Sequence, residues 1–448
     1  MSNDLKRGVP RVGNLSGFNV QVALQLGDTG IEVTVPWPDP ESPYMRWFTD
    51  AAGIRVGAAR EISQSMPRRV LFSDSYGSVL LIYCRPVAYH RNIVGPGTGT
   101  LRARAAIMSV GEDLEFDRPH GIETEISGLR AWLGMTSWSR AYGVKDDPTG
   151  IALTSQSPPA VDIGTYTRVQ ISFRPNWRIT SDESGNQVLS DLLGVVTRSE
   201  EPLGWDAHLQ LHRAVRDLLV ISRWHAESCI EVKALRMDDL VVMDDAERGA
   251  EWRAVVVAED QRAREPTHFL PHLICYDELG PEGVLRWIAL RDGFARALDP
   301  VISSVGLRGT TAQTLLAHTG PGLEALGYLL MRRDGVGKAK AAGVSLGPRF
   351  DRILHDVGDS LPFDGPTWAK TTIEAYNGLK HANREEPDVI DVLNAWRQSV
   401  VVVRAWVAIE LGVQMKDVKA RLAEDPRRFP YFEVGAEAYD VATSDTEE

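Results

Sequence analysis

The sequence predicts an α+β protein, with a β-rich N-terminal domain followed by an all-α helical bundle. Three observations carry this. Apolar residues alternate at period two through the first two hundred positions. From about residue 205 the spacing changes to three and four. Beyond about residue 276 every strongly patterned segment is helical.

The β elements follow from the alternation Val20, Val22, Leu24, Leu26, then Ile31, Val33, Val35, and again Val169, Ile171, Phe173. "VLFSDSYGSVLLIYC" (70 to 84) reads as a hairpin, because "DSYG" supplies turn-forming residues between two aliphatic runs. "PWPDPESP" and "VGPGTGT" read as loops. Leu211, Val215, Leu218 and Leu219 form a first helical stripe, and Trp287, Leu290, Phe294 and Ala297 a second. Between them "WRAVVVAED" is expected to return a strand to the first domain. Further helices are expected over roughly 310 to 331, kinked or split by "GPG" at 320 to 322, and over 347 to 357, 366 to 381, 389 to 411 and 415 to 425. Asp388 caps the helix from 389, Pro387 bars continuation of the one before, and Gly412 ends it. That helix is apolar on more than one stripe, which fits either a dimer interface or the centre of a larger bundle.

The expected domains are a flexible N-terminus (1–15), a β-rich sensor or regulatory domain with a few helices (16–275), a helical bundle (276–432) and an acidic disordered tail (433–448). The tail holds six acidic and no basic side chains and few large apolar ones, too little to order itself. A chain of 448 residues, 43% apolar and 25% charged, is globular material. Its net charge of -12 argues against coating nucleic acid through an overall positive field. Cys84, Cys229 and Cys275 are too few and scattered for a disulfide framework or a zinc site, and read as free thiols in a reducing cytosol. No apolar run approaches a membrane span and no signal-peptide core opens the chain, so a cytoplasmic protein is expected.

The candidate site lies in "EAYNGLKHANREEPD" (374 to 388). Helical spacing pairs Asn377 with His381 and Tyr376 with Lys380, and Arg384 follows three residues later. Histidine can take a proton from a hydroxyl and return one to a leaving group, and Lys or Arg can hold a phosphate. The competing reading makes His381, Lys380 and Arg384 complements of the negative helix end, bonded to its free carbonyls. Charge does not decide, since residues 370 to 404 hold five basic and five acidic side chains. In "GVGKAKAAG" (335 to 343) no Gly-Lys-Ser/Thr follows a strand, so a flexible basic loop is expected, with Lys338 and Lys340 as backbone contacts to a nucleic acid. His268 and His272 flank Pro271, which makes a helical metal pair improbable; no metal and no cofactor is expected. There is no Gly-x-Ser-x-Gly elbow and no dinucleotide fingerprint.

"RRVLFSDSYGSVLLIYCR", "IETEISGLRAWLGM", "LRWIALRDGFARALDPVISS" and "YNGLKHANREEPD", in that order, resemble the ApeA-like branch of the HEPN superfamily, prokaryotic proteins of anti-phage abortive infection. The resemblance implies a C-terminal HEPN bundle and metal-independent cleavage of RNA, with tRNA one candidate. It also implies a homodimer whose two motifs share one cleft, and a phage-derived trigger bound by the N-terminal domain. The HEPN signature is an Arg, commonly followed by Asn, with four to six residues before a His. His381 matches the histidine and Asn377 the residue after the arginine, but Tyr376 stands at the arginine position. Lys380 and Arg384 are then the cations left for the phosphate, with Lys338 and Lys340 as outer contacts. The alternative implied is a degenerate HEPN module that binds RNA or nucleotide, or only holds a dimer together.

Overall fold

The computed structural model describes residues 5–16, 20–38, 44–45, 47–48, 67–90, 96–111, 114–144, 147–181, 184–243, 246–257, 271–307, 309–428 and 430–431. The tail from 433 lies outside the described residues, as does His268.

Alternation does become strands. Fourteen form one sheet in the order Val161–Tyr166, Val169–Ser181, Gln187–Arg198, Gly121–Ile126, Cys229–Met243, Ala246–Val257, Ala105–Met108, Gly77–Ile82, Arg69–Asp74, Arg11–Leu15, Gln21–Gly27, Gly30–Trp37, Gly97–Ala103 and Arg85–His90. Every neighbouring pair is antiparallel. A second sheet pairs Trp138–Val144 with Asp147–Ser155. The 70 to 84 hairpin turns between Asp74 and Gly77, and "WRAVVVAED" supplies part of Ala246–Val257. Strand Gly77–Ile82 is buried on both faces, Val79 and Leu81 in one core cluster and Leu80 and Ile82 in another.

One correction falls on the N-terminal segment. Arg11–Leu15, expected within a flexible 1–15, is a strand paired with Gln21–Gly27 and Arg69–Asp74. It is fixed by Leu15, 1% exposed, and by Arg11, whose guanidinium holds Asp74 through Nε at 2.8 Å and Nη2 at 2.6 Å.

Nine helices lie among the described residues: α1 (Leu129–Leu133), α2 (Trp205–Arg223), α3 (Tyr276–Ser303), α4 (Ala312–Arg333), α5 (Lys338–Ala342), α6 (Leu346–Val357), α7 (Gly365–Lys380), α8 (Val389–Glu410) and α9 (Met415–Ala423). No helix of the described residues is long and apolar enough to cross a membrane.

The chain divides into two compact units: residues 1–127, 135–213 and 228–263, which carry the sheet, and residues 128–134, 214–227 and 264–448, which carry the helices. The division is not a single cut near 275. Two short segments from the β-rich half belong with the helices because their groups are bonded there: Trp132 Nε1 donates to Ile274 O at 2.7 Å, and Trp287 Nε1 to Ala214 O at 2.7 Å.

Two expectations about the helices need revision. The "GPG" of α4 does not split it: the helix is continuous across Pro321. The glycines serve close packing instead. A Cβ on Gly320 would fall 2.3 Å from the Tyr376 ring, and one on Gly322 would fall 2.7 Å from Ala297 O. The wide apolar surface of α8 is covered within the chain, since every residue from Ser399 to Ala408 is buried. The bundle-centre reading accounts for that surface, which then supplies no argument for a second copy.

Candidate functional site

The site residues sit at the end of α7 and in the turn after it. Asp364 caps α7 through the N–H of Thr367 at 2.8 Å, Pro366 preorganises its first turn, and Trp368 anchors it by donating to Ser399 Oγ at 3.1 Å. The helix stops at Lys380 because His381 turns to extended backbone (φ -122°, ψ 105°), its N–H still bonded to Asn377 O at 3.0 Å. The chain then doubles back over Gly378, where a Cβ would meet Pro387 Cδ at 2.8 Å. Asp388 starts α8, accepting from the N–H of Ile390 at 2.7 Å and of Asp391 at 3.3 Å.

This geometry separates the sequence candidates. Tyr376 is 6% exposed, in a cluster with Leu316, Ala375, Val392 and Ala395, and its ring lies where Gly320 leaves room. It has no hydrogen-bond partner among the described residues, and burial, with Glu324 nearby, pushes its phenol above the usual range. Tyr376 therefore packs in the α4–α7 contact. A guanidinium substituted there would enter an apolar cluster. Asn377 is half-buried, and Lys380, His381 and Arg384 are exposed. The His381 side chain has no hydrogen bond or ion pair among the described residues. It does not bond the free carbonyls of the helix end, as the capping reading requires.

Lys380 is oriented by groups the sequence reading missed. Its Nζ lies 3.6 Å from Glu324 Oε2 and 5.5 Å from the centre of the Tyr376 ring. Glu324 also takes Arg349 Nη1 at 2.9 Å, and the other Arg349 nitrogen donates to Ala341 O at 3.2 Å and Ala342 O at 3.1 Å. Lys338 and Lys340, both exposed, stand on the short helix whose last carbonyls Arg349 holds. One chain of bonded groups thus links α5, α6, α4 and α7. Glu324 and Arg349 carry no local motif; only their contacts identify them.

Among the described residues no group of His, Cys, Asp and Glu has the arrangement of a metal site. No disulfide joins the three cysteines, and burial pushes the Cys84 thiol up to about 12, too high for a thiolate.

A histidine pair in the sheet unit was also missed, although its spacing is visible as "HLQLH". His208 and His212 stand one turn apart on α2, both 0% exposed. His212 bonds Thr124 Oγ1 through Nδ1 at 2.7 Å and Thr197 Oγ1 through Nε2 at 2.8 Å, and His208 Nδ1 lies 3.0 Å from Thr197 Oγ1. Thr197 Oγ1 also lies 3.2 Å from Ile122 O, so one hydroxyl meets both imidazoles and a backbone carbonyl. Burial is the first cause of the low proton affinity of each, about 4 for His208 and about 3 for His212. This is a neutral core network.

The strands and α2 that hold this network fall within or across residues 54–236, which match the family model described as ApeA N-terminal domain 1. The sheet unit thus has the class of a β-rich ApeA-type N-terminal region. Through that segment the chain is ApeA-like. Comparison with curated proteins and with solved structures gives no match.

Proposed function

We propose that the chain is a cytoplasmic anti-phage defence protein whose helical unit is a HEPN-type bundle acting on RNA, with tRNA one candidate substrate. In this reading His381 is the acid–base group, and Asn377, Lys380 and Arg384 engage the phosphate. Lys338 and Lys340 are outer backbone contacts. The observation that carries it is the exposed His381 ring, without a side-chain partner among the described residues, directly following a lysine oriented by Glu324. Attack of a 2′-hydroxyl on the adjacent phosphate needs a base, an acid for the leaving oxygen and cationic stabilisation. A homodimer pairing two His381 side chains in one cleft would supply both proton-transfer roles. A phage-derived trigger bound by the N-terminal region would switch the site on.

The burial of Tyr376 favours a second reading. With no guanidinium at that position, Lys380 and Arg384 alone stabilise charge, and neither reproduces the missing fork. The bundle then binds RNA or nucleotide without cutting it. Purified chain assayed on tRNA and total RNA, beside a phage-challenge assay, separates the two. Ribonuclease action requires cleavage that His381→Ala abolishes, with Lys380→Ala losing roughly 10- to 100-fold. RNA binding without cleavage, and protection that survives His381→Ala, would leave the binding module.

A further inference from the structure

A cavity of about 180 Å³ in the helical unit is lined by four arginines, Arg223, Arg404, Arg421 and Arg427, together with His272 and Asp425. We propose that it is a binding site for a small phosphate-bearing anion, distinct from the residues around His381.

The charges support this. Arg404 is an arginine set inside the apolar run "VVVVRAWVA" and is 2% exposed. Its Nε donates to Ile221 O at 2.7 Å, Nη2 to Ser222 O at 2.9 Å and Nη1 to Asp425. Asp425 is already shared: Arg427 Nη1 reaches its two oxygens at 2.7 and 2.9 Å, and the Arg427 backbone N–H donates to Oδ1 at 2.9 Å. One carboxylate therefore serves two guanidiniums. Arg223 pairs with Glu227 at 2.5 Å and Arg421 with Glu278 at 2.8 Å. At Asp425 two guanidiniums thus meet a single carboxylate, an excess of one positive charge in a partly dry place. Burial first, and then Arg404, lowers the proton affinity of Arg427 to about 10.

Donors also remain over. Arg427 Nη2 bonds Trp224 O at 3.2 Å and Arg421 Nη1 bonds Leu273 O at 2.9 Å, yet the Nε–H of each has no partner among the described residues. His272 Nε2 is buried and unpaired among the described residues, and burial with Arg223 nearby holds this ring neutral, down at about 4. A ligand that is negative and made of acceptors answers both the excess charge and the spare donors, and phosphate fits planar guanidinium forks. At ~30 Å³ per water the space corresponds to about six waters, enough for a phosphate and little more than an attached sugar.

The test is calorimetric titration of the full chain with inorganic phosphate and, separately, with AMP. Saturable one-site binding is expected, weakened at least tenfold by Arg421→Gln and by Arg427→Gln, and unchanged by Arg85→Gln in the sheet unit. Arg421 stands at the exposed rim, so its variant keeps the test decisive if Arg427→Gln fails to fold. Equal affinity for both ligands would show that the phosphate alone is recognised, and tighter AMP that the nucleoside adds contacts. His381→Ala is expected to bind as wild type, which separates this site from the proposed RNA chemistry. No saturable heat with either ligand at millimolar concentration, or wild-type affinity in Arg421→Gln, overturns the proposal.

Discussion

The two histidine sites of this protein are opposites. His208 and His212 form a one-turn pair on α2, the kind of spacing that suggests chemistry, yet they lie fully buried with threonine partners. His381 stands alone in a polar turn, with its ring exposed and without a side-chain partner among the described residues. The contrast teaches that access to water and to a substrate, more than motif density, decides which histidine can move a proton. A ring locked in a neutral network stabilises the fold; a ring at a helix end is available to a ligand.

The largest expected effect sharpens the buried side. His212→Ala leaves the hydroxyls of Thr124 and Thr197 short of a partner and opens a cavity, a combined cost of about 3–5 kcal/mol in urea unfolding. A loss below about 1 kcal/mol would mean that the pair does not bind the sheet to α2. The next effect is acid sensitivity. Both folded-state affinities lie below the ordinary 6.5, about 4 for His208 and about 3 for His212, so the unfolded chain takes up protons first as pH falls. This contribution to stability is complete above about pH 6.5. It is lost through the window down to about 4 for His208 and about 3 for His212, at up to ~1.4 kcal/mol per pH unit for each ring. A His208→Gln/His212→Gln variant should have a flatter acid limb than wild type, and parallel limbs would exclude the pair as its cause. The smallest effect belongs to His381. Its replacement by Ala should shift stability by less than about 0.5 kcal/mol, read from the thermal midpoint, because the ring has no partner to lose. A larger loss would return His381 to the role of a structural cap.

A second contrast lies within one helix. Tyr376 and Lys380 are a turn apart on α7, and the sequence reading put both on one polar face. The first is buried against Gly320 and the second reaches Glu324 in the open. Local spacing gives the angle between two side chains on a helix, but what meets that face comes from α4, more than fifty residues earlier.

By itself the sequence determined the fold class, the strands that alternate and the helices that carry caps. Asp388, Pro387 and Gly412 marked the limits of α8, and "DSYG" marked a hairpin, because these signals act over a few residues and depend on backbone conformation alone. Tertiary structure decided what those elements bury. It threaded Arg11–Leu15 into the sheet, carried α4 through its proline and covered α8 within one chain. It also brought Arg223, Arg404, Arg421 and Arg427 around one cavity from positions two hundred residues apart. Burial and charge pairing are set by contacts between distant segments, and no periodicity along one segment encodes its partner.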